Sequence, residues 1–154
     1  MRNPVGLLPV HMIVVLFLLQ LFRLVSAHMS MSDPPPLRSK TNSFSTQVDY
    51  DYSAPLSATG SNFPCKGFHK DLGTPGAKPV RTYQPGSTYN LVIAGSETHA
   101  GGSCQLSLSY DGGTTWEVFK SFIGGCVKPD PQDDQTFNFT IPSSAPGGEA
   151  LFSW

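Results

Sequence analysis

Residues 104–123 read CQLSLSYDGGTTWEVFKSFI, and this stretch decides the fold class. Apolar residues recur at every second position from Cys104 to Tyr110, which indicates a strand with one buried face. An Asp-Gly-Gly turn follows at 111–113, where glycine accepts the positive φ that a tight hairpin turn requires. Residues 115–123 then supply a second run of β-branched and aromatic side chains. The stretch therefore predicts an antiparallel β-hairpin.

Further short strands are predicted on both sides of this hairpin. Residues 88–94 (TYNLVIA) are apolar and β-branched, residues 137–141 alternate Phe and Ile with polar side chains, and residues 149–154 begin another strand. Residues 28–47 are polar and extended, and residues 53–79 form a long loop rich in Ser, Gly and Pro. Short strands with Gly/Pro turns and no helix predict an all-β fold, an antiparallel β-sandwich of immunoglobulin/fibronectin-like type with long loops.

The first 27 residues have the pattern of a secretory signal peptide. Arg2 precedes an apolar run at 12–22, which is too short for a membrane-spanning helix, and Val25-Ser26-Ala27 places small residues at a cleavage site. We therefore expect cleavage after Ala27, a secreted extracellular domain over residues 28–154 and no membrane attachment afterwards. The formal net charge of −1 and the lack of a basic patch argue against a nucleic-acid partner.

Three cysteines remain after cleavage, and a secreted chain is expected to oxidise them. Cys104 opens the hairpin and Cys126 follows its second strand, so pairing of the two strands predicts the disulfide Cys104–Cys126. An odd cysteine indicates an intermolecular bridge, a free thiol or an incomplete chain. Because the final residues EALFSW end mid-strand, we expect a sandwich that is incomplete at the C-terminus, with the partner of Cys65 beyond Trp154.

Residues 109–116 (SYDGGTTW) match the Asp-box, a hairpin that recurs in sialidase-type propellers and is mainly structural there. A propeller needs several copies, and this chain has one. A glycosidase would need a placed pair of carboxylates, and nothing in the sequence pairs the candidates Glu97, Asp111 and Glu117. The motif is therefore interpreted as a structural turn.

Cleavage after Ala27 would make His28 the first residue of the mature protein. An N-terminal histidine offers two nitrogens in chelating position, its free α-amine and its imidazole, and both lose their protons to a metal near neutral pH. A second imidazole would complete a planar set of three nitrogens, a histidine brace, which favours Cu(II). His69 is interpreted as a solvated loop residue, and His99, which follows a predicted strand and precedes a Gly-rich turn, is by itself an ordinary loop histidine.

Five stretches match, in order, the pattern of one family: HMSM (28–31), LSATGSNFPCK (56–66), GSETHAGGSCQLSLS (95–109), SFIGGC (121–126) and FTIPSSAPGGEALFSW (139–154). Together they span nearly all of the mature chain. The chain resembles the fungal, chitin-active lytic polysaccharide monooxygenases of auxiliary activity family eleven.

The resemblance implies a monomeric enzyme with one copper ion per chain, held by His28 and His99 as catalytic and metal-binding residues. It implies oxidative cleavage of glycosidic bonds in chitin or a related polysaccharide, with an external electron donor and O₂ or H₂O₂. The family's axial Tyr lies in a later strand that this chain does not contain. Glu97 stands where the family has a small residue, and its carboxylate could ligate the metal, alter its potential, block oxygen or turn to solvent.

Two other functions fit the same residues: a histidine-brace copper-binding protein without oxygenase activity, and a non-catalytic secreted protein that binds carbohydrate. Separately, Asn138-Phe139-Thr140 is an N-glycosylation sequon, and Asn138 is predicted on the polar face of its strand.

Overall fold

The computed structural model describes residues 28–51, 54 and 56–154, so the predicted signal peptide lies outside the described residues. Within them, regular structure comprises six strands: β1 (Met29–Asp33), β2 (Thr88–Gly95), β3 (Cys104–Ser109), β4 (Glu117–Phe122), β5 (Thr136–Thr140) and β6 (Leu151–Ser153). Two short 3₁₀ helices, Cys65–Asp71 and Pro75–Ala77, interrupt the long loop. No helix in this part of the chain is long and apolar enough to cross a membrane.

The strands form two antiparallel sheets, ordered β1-β2-β5 and β4-β3-β6. Their inner faces meet through aromatic rings: the Phe139 ring on β5 lies 5.2 Å from that of Phe152 on β6 and 6.0 Å from that of Phe119 on β4. Leu91 and Leu106, one from each sheet, are fully buried in the same core. The predicted all-β sandwich is confirmed.

The hairpin is also confirmed, because Cys104 pairs with Phe122 and Leu108 with Glu117 across the turn. The predicted alternation of β3 is wrong at its end: Ser109 is buried and Tyr110 is 41% exposed. Ser109 lies inside because its hydroxyl forms hydrogen bonds within the turn. These bonds outweigh the gain from burying the more hydrophobic Tyr110.

The sequence prediction of extended, polyproline-like chain over residues 28–47 missed β1. Met29–Asp33 pairs with β2, and Met29 and Met31 pack against the core while remaining partly exposed. Three consecutive prolines follow directly, and they cannot donate to a ladder, so the strand ends there. The correction matters because β1 places His28.

Ion pairs fasten the long loop. Arg38 makes a two-pronged bond to the Asp71 carboxylate, with both contacts at 2.7 Å, and the Lys66 ammonium lies 2.9 Å from Asp49. Cys65 is a free, exposed cysteine among the described residues. Its predicted bridge to a cysteine beyond Trp154 stays a prediction.

Candidate metal centre

Antiparallel pairing of β1 with β2 brings the two candidate ligands together. Met29 is opposite Gly95, so the chain enters β1 where β2 ends. His28 immediately precedes β1, and the loop carrying His99 starts directly after Gly95. Two histidines far apart in the sequence therefore lie at one corner of the β1-β2-β5 sheet.

The His28 and His99 rings are in edge-to-face contact, with centroids 6.0 Å apart and planes inclined by 71°. A metal–imidazole bond is about 2.0–2.1 Å long and the ring centre lies roughly 1.1 Å behind the nitrogen, so two rings on opposite sides of one ion have centres about 6 Å apart. Both residues are exposed. The spacing fits two ligands of a single surface metal ion.

Gly95 is a site residue that sequence reasoning missed. A Cβ built on it would lie 2.1 Å from the His28 carbonyl oxygen and 2.8 Å from Met29 Cα. Atoms cannot approach so closely, so any larger residue would push the start of β1 away from β2. The only signal in the sequence was a glycine at the end of an otherwise apolar strand.

The loop after β2 presents His99 in a tight left-handed turn. His99 has φ +51°, Ala100 +65° and Gly101 +90°. Left-handed backbone costs a non-glycine residue roughly 1–2 kcal/mol, so the turn needs support from its surroundings. The Gly101 amide closes it by donating to the Thr98 carbonyl at 2.9 Å.

That support comes from the segment after β4. The Gly102 amide donates to the Val127 carbonyl at 3.2 Å, and the Cys126 amide donates to the Gly102 carbonyl at 3.0 Å. A disulfide joins Cys104 to Cys126, with Cα atoms 5.5 Å apart, and confirms the predicted bridge. The bridge therefore fastens the His99 loop as well as the hairpin.

Glu97 is partly exposed. Across residues 28–51, 54 and 56–154, no three His, Cys, Asp or Glu side chains are grouped to hold a metal. The role of Glu97 at the site stays a prediction. The third nitrogen of a brace would have to come from the α-amine that cleavage after Ala27 releases.

His69 is not simply solvated, contrary to the sequence interpretation. It is partly buried, and its Nδ1 atom is buried without a hydrogen-bond partner. Its ring carbons lie 3.5 Å from where a Cβ on Gly113 would stand, so the ring packs against the hairpin turn. The structure places it there and not beside His28 and His99.

The turn at residues 109–116 is held by its own side chains. The Ser109 hydroxyl accepts from the Gly113 amide at 2.8 Å, and the Asp111 carboxylate accepts from the Thr115 amide at 2.8 Å and from its hydroxyl at 2.6 Å. The bonds from Thr115, followed by that from Ser109, lower the pKa of Asp111 to about 2. Trp116 donates from Nε1 to the Gly113 carbonyl at 3.1 Å. These contacts give Asp111 a capping role in the turn.

Asn138 is exposed on β5, between the buried rings of Phe137 and Phe139. Its side chain therefore lies on the outer face of the sheet, as the alternation predicts. Glycosylation at this asparagine stays a prediction.

Comparison with known proteins gives named relatives. The chain is 48% identical over 133 residues to the AA11 family lytic polysaccharide monooxygenase A of Aspergillus fumigatus, covering 85% of this chain and 57% of that protein. It is 34% identical to the AA11 family lytic polysaccharide monooxygenase B of A. fumigatus and 32% identical to an AA11 family lytic polysaccharide monooxygenase of Aspergillus oryzae, each over 143 residues and 84% of this chain. No protein-family model matches the chain.

These relatives confirm the resemblance predicted from the sequence: over most of its length the chain is homologous to AA11 lytic polysaccharide monooxygenases. The chain spans 57% of the length of the first relative and 32% and 31% of the other two.

Proposed function

We propose that this chain is the copper-binding part of a secreted polysaccharide monooxygenase, acting on chitin or a related crystalline polysaccharide. The observation that carries the proposal is the exposed pair of imidazoles, His28 and His99, at a spacing that fits one ion. The names of the relatives support the same reaction class.

His28 would contribute its imidazole and, once Ala27 is removed, its α-amine, while His99 would contribute the opposite imidazole. Nitrogen-only ligands favour Cu(II) over other divalent ions. Bound copper would supply the one-electron chemistry by which O₂ or H₂O₂, with electrons from an external reductant, hydroxylates a sugar C–H bond next to a glycosidic linkage.

The exposure of both histidines suits a solid substrate. Because both rings are exposed, a chain that is still packed in a crystal could come within reach of the site without being lifted out. Three nitrogens would also leave positions at the ion open, as catalytic metal sites require.

The first test is oxidative cleavage. The secreted protein, with its N-terminus verified by mass spectrometry, is incubated with copper, ascorbate and chitin, and the released sugars are analysed for oxidised ends. We expect oxidised oligosaccharides from the wild type and none from His99→Ala. Products that persist in His99→Ala would contradict the assignment of the site.

The second test concerns the cleavage site. In a chain that begins at Ala27 the His28 nitrogen is an amide with no available lone pair, so copper affinity should fall sharply. Calorimetry with Cu²⁺ compares proteins that begin at His28 and at Ala27. Equal affinity would eliminate the brace.

Glu97 favours a second candidate, a brace protein that binds copper without oxygenase activity. Glu97 stands two positions before His99 and is partly exposed. A carboxylate turned towards the ion would alter its potential or block oxygen. Tight copper binding without oxidised products, with products restored in Glu97→Ala, would select this alternative.

A further inference from the structure

Gln135 lies at the junction between the sheet that carries β1 and the segment that supports the His99 loop. It is 6% exposed and directly precedes β5. Its carbonyl accepts from the Ile93 amide on β2 at 3.1 Å, so its backbone is part of the sheet that positions His28.

The Gln135 side chain is bonded in the opposite direction, to the segment after β4. Its Oε1 accepts from the Lys128 amide at 2.9 Å, and its Nε2 donates to the Lys128 carbonyl at 3.2 Å and to the Asp130 carbonyl at 2.9 Å. One buried amide thus holds both ends of residues 128–130. Burying a side-chain amide costs free energy unless its donors and acceptor form hydrogen bonds. The hydrogen bonds of Gln135 therefore constrain this segment strongly.

Residues 128–130 in turn hold the residue next to the candidate ligand. Thr98, 6% exposed, donates from its hydroxyl to the Pro129 carbonyl. A Cβ on Gly101 would lie 3.2 Å from Pro129 Cγ and 3.3 Å from its Cδ, so the loop also packs tightly against this segment. His99 is therefore held between two contacts to this segment.

We infer that Thr98 and Gln135 are positioning residues that set His99 against His28 and thereby tune the copper site; the copper part of this inference rests on the proposed function. Neither residue is proposed as a ligand of the ion. Both act through Pro129: Gln135 bonds the residues on either side of it, and the Pro129 carbonyl accepts from the Thr98 hydroxyl. The partners that orient metal ligands commonly change metal affinity 10- to 100-fold when they are removed.

The decisive comparison is Thr98→Val against Thr98→Ser, because valine keeps the shape and removes the hydroxyl, whereas serine keeps the hydroxyl. Cu²⁺ binding is measured by calorimetry and by the hyperfine pattern in electron paramagnetic resonance. We expect Thr98→Val to bind copper about tenfold more weakly with an altered hyperfine pattern. Thr98→Ser should restore both properties.

A second pair of variants keeps the inference testable if Thr98→Val does not fold. Gln135→Met removes the bonds to the segment, and Gln132→Met is the matched control because Gln132 is exposed on the same segment. Weaker binding in Gln135→Met alone supports the inference. Wild-type affinity and spectrum in both Thr98→Val and Gln135→Met overturn it.

A measurement without metal separates this inference from the proposed function. In copper-free protein, Thr98→Val should speed exchange of the Gly101 and Gly102 amides and shift the NMR signals of the His99 ring, while the Thr115 amide keeps its rate. If the wild type binds no copper but these changes occur, the proposed function fails and the positioning role stands. If the His99 signals do not move, the positioning role fails whether or not copper binds.

Discussion

Two turns of this molecule each contain a Gly-Gly pair, and they are stabilised in opposite ways. The Asp111 turn, residues 109–116, takes its hydrogen bonds from side chains within the turn itself. The His99 loop, residues 96–103, takes its support from Val127, Cys126 and Pro129. The first is a local structure that can form with the hairpin, whereas the second exists only when distant segments have met.

The difference indicates where each turn is vulnerable. A turn that is held by its own side chains is destabilised mainly by substitutions within the turn, and such substitutions affect the rest of the fold little. A loop held from outside is weakened by changes far away in sequence, and in this molecule that loop carries a candidate metal ligand. Four predictions test the contrast.

The largest effect is expected from replacing Cys104 and Cys126 together by alanine. Their bridge spans 22 residues, and its loss should destabilise the chain by about 3 kcal/mol on the chain-entropy model. Urea unfolding measures the loss, and hydrogen exchange should be faster at Gly102 than at Thr115. Cys65→Ala is the control, because Cys65 is free. Equal acceleration at both amides would contradict the contrast.

Gly95→Ala should be next, at about 2 kcal/mol, the range of an overpacked site. The added Cβ collides with the His28 carbonyl, so β1 must separate from β2 and copper affinity should fall with stability. Gly147→Ala is the matched control because a Cβ there meets nothing within 4 Å. A Gly95 variant with wild-type copper affinity would show that β1 does not position His28.

Ser109→Ala should cost about 1 kcal/mol, the usual contribution of a buried hydrogen bond. It leaves the Gly113 amide without its acceptor and should speed exchange in the Asp111 turn only. Copper affinity should equal that of the wild type. Ser121→Ala, at an exposed position of β4, serves as the control. Weakened copper binding would mean that the two turns are coupled.

Asp111→Asn should have the smallest effect, because this carboxylate is exposed, and the effect should depend on pH. The folded-state pKa of Asp111, about 2, lies below the usual 3.8, so its contribution is complete above pH 3.8 and is lost as the pH falls towards 2. The difference in the free energy of unfolding between variant and wild type should therefore shrink as the pH falls from 3.8 towards 2. Ser121→Ala, which changes no titratable group, should show a stability difference that does not vary with pH over the same interval.

The local parts of the structure could be predicted from the sequence. Alternation places Phe137 and Phe139 inside and Asn138 outside, as observed, and the Asp-Gly-Gly turn and the Cys104–Cys126 bridge follow from the same hairpin. Each of these features depends on side-chain types a few residues apart or on the pairing of adjacent strands.

The support of the candidate site could not be predicted in the same way. The contacts to the His99 loop use backbone carbonyls of residues 127 and 129, and a carbonyl has no residue-type signature. The role of Gln135 depends on a segment that meets it only in the folded chain. His28 was predicted from the chemistry of an N-terminal histidine and His99 from the resemblance to a known family. The register that brings them together comes from β1, which the sequence prediction missed.

The pairing of Met29 with Gly95 also bears on the entropy of metal capture. A ligand at the end of a loose tail must give up the freedom of every residue in that tail when it binds. Here the ladder already orders the residue after His28, so capture would restrict the backbone of one residue, at about 1–2 kcal/mol, rather than that of a whole segment. With cleavage after Ala27, as proposed, a chain end, usually the least ordered part of a protein, would be prepared in advance to hold an ion.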